Sequence, residues 1–173
     1  MLSISNAIIL ICAVVADSFI FIPKQAKITY VNHKFLTWAN ASVTRYGRKS
    51  PYYLNMEGEN KVPIDGTFIL NMVVYQFVSN EYRRSFVEFH MPFCEFIKDP
   101  YFGGIFGKFG YNLTCPIIPG PYHFMNLTFP TEDFPHVWPF EKCLFNITMT
   151  INNVLGGSGF FSSKIISNRR KKT

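Results

Sequence analysis

The sequence predicts a mainly β domain, either a sandwich or a barrel, and three observations favour it. Segments rich in β-branched and aromatic residues recur along the chain, turn residues separate them, and apolar residues seldom follow helical spacing. The clearest segment is residues 143–152, where apolar residues at positions 145, 147, 149 and 151 alternate with polar ones. A period of two places these side chains on opposite faces of a strand.

The other strands are predicted from the same residue preferences. They are, in chain order, residues 27–38 as one strand or a bent pair, 41–47, a short strand at Tyr52–Met56, 67–79, 85–91, 123–129 and 159–167. Residues 17–27 are expected to form a lead-in that contains Pro23, and Gly156–Gly159 a flexible turn. A helix is the alternative for residues 67–79, but their Val, Ile, Thr and aromatic content favours a core strand.

Two of these strands also have predicted faces. In residues 85–91, Val87 and Phe89 lie opposite the residues at positions 86, 88 and 90. In residues 123–129, the residues at 125, 127 and 129 oppose those at 126 and 128, and Phe124 interrupts this alternation.

Residues 93–110 depart from the strand pattern. Phe93, Phe96 and Ile97 follow helical spacing, and Pro100 and the glycines after it interrupt any longer helix. The segment predicts one or two short helical turns with an aromatic surface.

The first sixteen residues fit a secretory signal peptide. An apolar run from Ala7 to Ala16 ends in small residues, and it is about half the length of roughly 20 residues that a membrane-spanning helix needs. A buried N-terminal strand or an uncleaved anchor extended through Ile22 is the alternative, but Asp17 interrupts such an anchor. The expected organisation is a signal peptide at 1–16, one domain at 17–168 and a basic tail at 169–173, in a secreted, extracellular protein.

Four Asn-x-Ser/Thr sequons support export. They begin at Asn40, Asn112, Asn126 and Asn146, and none has Pro in the middle position. We expect two or three of them to carry a glycan. Asn146 lies on the polar face of the strand predicted at residues 143–152, which is the face that a glycan requires.

The charge distribution argues against nucleic acid as a partner. The formal net charge is +6, but four of the positive charges belong to Arg169–Lys172, which leaves +2 for the rest. That basic tail is either a solvated end, a contact for anionic lipid headgroups or a processing site.

Three cysteines follow the predicted signal peptide: Cys94, Cys115 and Cys143. An oxidising compartment permits any one of three bridges between them. We favour Cys94–Cys115, because it closes a loop of about 22 residues, worth about 3 kcal/mol, and ties the aromatic segment to the Pro-rich turn. Cys143 is then a free thiol, a buried residue or a bridge between two chains.

The sequence contains no motif that favours catalysis. The four histidines, at positions 33, 90, 123 and 136, lack metal-ligand spacing, and no Gly-x-Ser-x-Gly, His-Glu-x-x-His or phosphate-binding loop occurs. We therefore expect no enzyme, no cofactor and no metal, with a secreted hydrolase as the least favoured hypothesis.

Residues 67–152 resemble the insect chemosensory CheA/CheB-type proteins, which are similar to the ML lipid-recognition and ganglioside-activator proteins. The resemblance rests on Cys-x-Phe at 94–96, Asn-x-Thr-Cys-Pro at 112–116, Gly-x-Tyr at 120–122, and a Pro-containing loop with an alternating strand at 130–151. It implies an immunoglobulin-like β-sandwich whose two sheets part to admit a lipid, in a protein that serves chemosensation. The chain departs from that pattern because Cys143 has no N-terminal cysteine with which to pair.

Two functions are compared. The first is a secreted, non-catalytic protein that carries a lipid or other hydrophobic small molecule between its sheets and meets a surface receptor; the second is a β-sandwich interaction module with a filled core. For the first, an aromatic-lined apolar cavity is required. Its candidate lining residues are Phe86, Phe89, Phe93, Phe96, Phe102 and Phe106.

Overall fold

The computed structural model describes residues 19–100, 103–129 and 139–167. These residues form eight strands and two short helices, which are β1 (Phe19–Val31), β2 (Leu36–Thr44), β3 (Tyr53–Asn60), β4 (Phe68–Val78), β5 (Glu81–Pro92), α1 (Phe93–Phe96), α2 (Gly104–Lys108), β6 (Gly120–Leu127), β7 (Lys142–Ile151) and β8 (Val154–Ser167). The prediction of a mainly β fold with short helical turns near residues 93–110 is confirmed. The proposed signal peptide and the basic tail lie outside the described residues.

The strands form two antiparallel sheets that pack as a sandwich. One sheet has the order β1-β8-β7-β4-β5 and the other the order β2-β3-β6. At one side, β1 lies against β2, to which it is connected in sequence. At the other side, α1 and α2 follow β5 and precede β6, with α1 against β4 and β5 and α2 against β6.

The centre of the larger sheet follows the predicted alternation. In β7, Phe145 and Ile151 are buried, and Asn146 lies on the other face between Val73 of β4 and Phe160 of β8. The ring of Phe145 stacks on that of Phe161, with centroids 4.4 Å apart. Aromatic pairs of this kind stabilise a core beyond the burial of their area.

The lead-in predicted at residues 17–27 is wrong, because a strand begins at Phe19. Phe19 and Phe21 are buried, and β1 pairs with β8 along its length. Pro23 is tolerated because the register shifts between Pro23 and Gln25 in an edge strand, where a missing N–H donor is least costly.

The separate strand predicted at residues 41–47 is also wrong. Residues 41–44 continue β2, and the chain bends between β1 and β2, where the Asn32 carbonyl accepts hydrogen bonds from the N–H groups of Phe35 and Leu36. Residues 27–38 therefore belong to the bent pair. The short strand expected at Tyr52–Met56 is present as β3 but extends to Asn60.

Gly156–Gly159 is part of β8 rather than a turn. The turn lies at Asn152 and Asn153, which have φ values of 47° and 65°. Asparagine adopts this left-handed conformation more readily than most residues, and two such residues in succession suit a tight hairpin. The glycines serve packing instead, since a Cβ at Gly159 would lie 2.8 Å from the Lys27 carbonyl oxygen.

The faces predicted for residues 123–129 are wrong in part. Leu127 is fully buried as expected, but Met125 is exposed and Phe124 packs inward. The cause is a register shift opposite Leu54 and Met56 of β3, together with a positive φ of 59° at Asn126, which inserts an extra residue into the alternation.

The cysteines are arranged as favoured from the sequence. Cys94 in α1 and Cys115 form a disulfide, while Cys143 is fully buried in β7, with its sulfur 4.0 Å from the Ser163 carbonyl oxygen. Within the described part of the chain, none of the helices has the length and apolar character needed to cross a membrane.

An apolar cavity between the sheets

The smaller sheet presents little side-chain volume to the larger one at its centre. Ala39 of β2 and Gly58 of β3 lie side by side on the inner face, and a Cβ built on Gly58 would lie 3.5 Å from the Ala39 Cβ. Protein interiors normally leave few voids larger than a water molecule. Two small neighbours on one inner face therefore leave space that the opposite sheet does not fill.

A cavity of about 340 Å³ occupies this space. This volume lies within the range of about 300–1,000 Å³ that is usual for small-molecule sites. Both sheets and both helices contribute to its wall. The apolar side chains of the wall include Phe21, Ile28, Leu36, Leu54, Met56, Ile64, Leu70, Met72, Phe93, Phe96, Phe106, Leu113, Ile117, Phe124, Phe129, Phe145, Ile147, Met149 and Phe161.

A second cavity of about 230 Å³ adjoins the first near β1, β2 and β8. Ile28, Leu36, Ala39 and Met149 line both cavities. Small residues again provide the room, here Ala41 of β2 together with glycines of β8. The hollow interior therefore extends from the helices on one side of the sandwich to the β1–β2 side.

Polar groups are few in the wall of the larger cavity. Asn40, Glu57, Glu59 and Asn60 border it, and among them Asn60 is the most deeply buried, with 4% of its surface exposed. Glu57 is half-buried, and its Oε2 lies 3.2 Å from Nδ1 of His123. In the described residues, no group of three His, Cys, Asp or Glu side chains is placed to hold a metal ion.

Three of the six candidate rings line the larger cavity. Phe93 and Phe96 belong to α1 and Phe106 to α2, so the predicted helical turns do present an aromatic surface to the interior. Phe106 is buried and packs edge-on against Phe124, with ring centroids 5.0 Å apart.

Two of the other three candidates, Phe86 and Phe89, do not line it. Phe89 faces inward but packs against the core cluster that contains Val74. Phe86 is 82% exposed, because it lies on the outer face of β5, as the alternation of that strand predicts. Assigning Phe86 to the cavity is therefore wrong, and Phe102 lies outside the described residues.

Several lining residues were not among the candidates. The alternation predicted for residues 143–152 directs Phe145 inward. Phe161 lies in the strand predicted at residues 159–167, for which the sequence predicts no face. Phe21 was missed because β1 was not predicted there. Asn60 gives no signal in the sequence, because its importance depends on burial beside the cavity.

Two groups of the described surface, Asp65 and Arg84, have shifted pKa values. The Thr67 side-chain hydroxyl donates a hydrogen bond to Asp65 Oδ1 at 2.6 Å, and the Thr67 backbone N–H donates another at 2.9 Å. These bonds lower the pKa of Asp65 below its ordinary value of 3.8. The ion pair with Glu88 raises the pKa of Arg84 on the outer surface.

The sequons differ in accessibility. Asn40, Asn112 and Asn126 are exposed, and Asn146 is half-buried on the outer face of the larger sheet. The side-chain carbonyl of Asn126 accepts a hydrogen bond from the Tyr46 hydroxyl at 2.8 Å.

Comparison with known families gives one match. Residues 70–147 match a family model described as a protein of unknown function, DUF1091. The match begins in β4 and ends in β7, so it includes the disulfide and both helices that line the cavity. No curated protein matches the chain.

Proposed function

We propose that this chain is a secreted, non-catalytic binding protein that carries a lipid or other apolar ligand between its two sheets. The observation that carries the proposal is the cavity of about 340 Å³, whose wall is formed almost entirely by aliphatic and aromatic side chains. An interior of this kind favours an apolar molecule, because transfer of apolar surface out of water contributes about 25 cal/mol per Å². The resemblance to the chemosensory lipid-recognition proteins suggests that the ligand is a chemical signal.

The location of the cavity also supports a carrier. It lies between sheets rather than at a loop cluster, and its wall combines inner-face residues of both sheets with the aromatic residues of α1 and α2. The disulfide holds α1 next to the segment that precedes β6. The disulfide therefore fixes the helical side of the sandwich covalently, next to the cavity that the side chains leave unfilled.

Export is part of the proposal. The apolar N-terminal run, the four sequons and a disulfide between Cys94 and Cys115 all fit an oxidising compartment. Three of the sequon asparagines are exposed, as attachment of a glycan requires.

Titration with 1,6-diphenylhexatriene, a hydrocarbon that fluoresces in apolar surroundings, tests the carrier directly. The wild-type protein is expected to bind it saturably. Ala39→Phe places a ring where both cavities meet, so we expect its dissociation constant to rise at least about tenfold. Phe86→Ala, on the outer face, is the control and should bind as the wild type does.

A folded wild-type protein that binds neither this probe nor any extracted lipid would contradict the proposal and favour an interaction module. Equal affinity of the wild type and a folded Ala39→Phe variant would place the binding site elsewhere. Urea unfolding of each variant establishes that a loss of binding is not a loss of folding.

A further inference from the structure

The two cavities between the sheets share much of their lining. Nine residues line both of them, and they come from both sheets, among them Leu36 and Ala39 of β2 and Ile147 and Met149 of β7. Because the same side chains border both spaces, they surround the passage from one to the other. The interior is therefore one space with two lobes, a larger lobe next to the helices and a smaller lobe next to β1 and β8.

The small residues that provide room are distributed unevenly over this space. Gly58 lines only the larger lobe, and Ala41, Gly157 and Gly159 line only the smaller one. Among the nine shared residues Ala39 is the only small one, and the others are Ile, Leu, Met and Phe. A ligand that occupies both lobes has to pass between these large side chains, which admit a chain more readily than a ring system.

The space is also longer than it is deep. Phe93 and Phe96 of the larger lobe belong to α1, which packs against β4 and β5, whereas Gly157 and Gly159 of the smaller lobe belong to β8. In the larger sheet β8 is two strands away from β4 and three from β5, which corresponds to about 10–14 Å. Packed sheets are about 10 Å apart, and side chains occupy part of that depth. A single chain that lies across the strands fits these dimensions.

The polar residues that border the smaller lobe direct their side chains away from it. Ser158 is three positions from the inward-facing Phe161 and therefore lies on the outer face of the sheet. Its cross-strand partner Tyr30 shares that face, and Lys27 directly precedes the inward-facing Ile28. The lobe therefore offers its occupant apolar contacts, and the end of a ligand that reaches it is hydrocarbon.

We propose that the ligand is an elongated molecule with a single unbranched hydrocarbon chain, which lies across the strands and occupies both lobes. This inference rests on the proposed carrier function and specifies the class of ligand. Benzene fills an engineered cavity of about 150 Å³. Each of the two cavities, at about 340 and 230 Å³, exceeds that volume, so each holds a substantial part of the molecule. A compact ring system would occupy the larger lobe and leave the smaller one empty.

The first test compares dodecan-2-one with cyclododecanone, each measured by displacement of 1,6-diphenylhexatriene from the wild-type protein. The two ketones have the same number of carbons and one carbonyl each, and they differ in shape. Each dissociation constant is corrected for the partition coefficient of the ketone between water and hexadecane, which removes the difference in hydrophobicity. We expect the open chain to bind at least about fivefold more tightly after this correction, because it alone reaches both lobes. Equal corrected affinities would overturn the proposal.

Variants at two neighbouring residues of β2 provide the matched comparison. Ala41 lines only the smaller lobe, and Ser42, the next residue, lines neither cavity. The longer side chain in Ala41→Leu should fill the smaller lobe. The affinity for hexadecan-2-one should then fall at least about tenfold, while that for the shorter octan-2-one should change less than about twofold. Ser42→Leu should leave both affinities as in the wild type. Equal losses for the two ketones in a folded Ala41→Leu variant would show that the chain does not extend into the smaller lobe.

The failures are distinguishable. Probe binding with no preference for the open chain would overturn the elongated ligand and leave the carrier function standing. Absence of probe binding would overturn both. Because the comparison of chain and ring needs only the wild-type protein, it decides the question even if Ala41→Leu does not fold.

Discussion

The disulfide between Cys94 and Cys115 joins α1, directly after β5, to the segment that leads into β6. The two Cα atoms are 5.7 Å apart and the residues are 21 positions apart in sequence. The bond therefore links the ends of an excursion that leaves the larger sheet, supplies Phe96 and Phe106 to the cavity wall, and returns to the smaller sheet. Its loss should affect both the stability of the fold and the shape of the cavity.

Replacement of both bridged cysteines by alanine should lower the free energy of unfolding by about 3 kcal/mol, because the unfolded chain regains the entropy of an open loop. Urea unfolding with and without a reductant measures this. The reductant should destabilise the wild type and leave Cys94→Ala/Cys115→Ala unchanged. A wild type that is insensitive to reductant under conditions that reduce the bond would contradict the prediction.

The pair Asp65 and Thr67 gives a prediction about pH. The pKa of Asp65 is lowered in the folded protein, chiefly by the Thr67 hydroxyl, so the carboxylate stabilises the fold above its unfolded pKa. This contribution is lost as the pH falls from about 4 through the folded pKa. Thr67→Val should raise the pKa of Asp65 toward 3.8, and its destabilising effect should be larger at pH 7 than at pH 2.

A carboxyl-carbon NMR titration of Asp65 checks that shift. Thr67→Ser keeps a hydroxyl and should keep the low pKa. An unchanged Asp65 titration in Thr67→Val would show that the side-chain bond is not its cause.

The two glycines of β8 at positions 157 and 159 should respond differently to alanine. A Cβ at Gly159 would lie 2.8 Å from a backbone oxygen of β1, whereas at Gly157 the nearest atom would be at an ordinary 3.5 Å. We expect Gly159→Ala to lower the free energy of unfolding by about 1–3 kcal/mol, because β1 and β8 must separate locally. Gly157→Ala should change it by less than about 1 kcal/mol. Equal effects of the two substitutions in urea unfolding would contradict the packing described for this edge.

Export predicts a protein that carries glycans. Protein secreted by eukaryotic cells should gain gel mobility after glycosidase treatment and should begin after Ala16 when its N-terminus is sequenced. Asn→Gln substitutions are made singly at the four sequons. Each should lower the apparent mass on a gel by that of one glycan if the site is occupied. A chain that still begins at Met1, or that shows no mobility shift, would count against the compartment.

The sequence predicts those parts of the fold that local patterns determine. The alternation of β7 depends on period two alone, and Phe145 and Asn146 take the predicted faces. Local composition also predicts β4, from its apolar β-branched and aromatic residues, and the helical spacing of aromatic residues predicts helical turns near α1 and α2. Residue type alone places Phe86 in the cavity, although the alternation of its own strand directs it to solvent.

Features that depend on distant partners were not accessible from the sequence. Pro23 reads as a strand breaker, and only the register shift against β8 makes it compatible with a strand. The positive φ at Asn126 reverses the faces at the end of β6. The buried Asn60 amide donates hydrogen bonds to the carbonyl groups of Val62 and Ile118, the second of which is far away in sequence.

Organic extraction of the purified, secreted protein, followed by mass spectrometry, tests the carrier function most directly. We expect release of an apolar molecule in a ratio approaching one per chain, greatly reduced in Ala39→Phe. Recovery of no such molecule, from protein that also fails to bind 1,6-diphenylhexatriene, would contradict the conclusion that the space between the sheets is a ligand site.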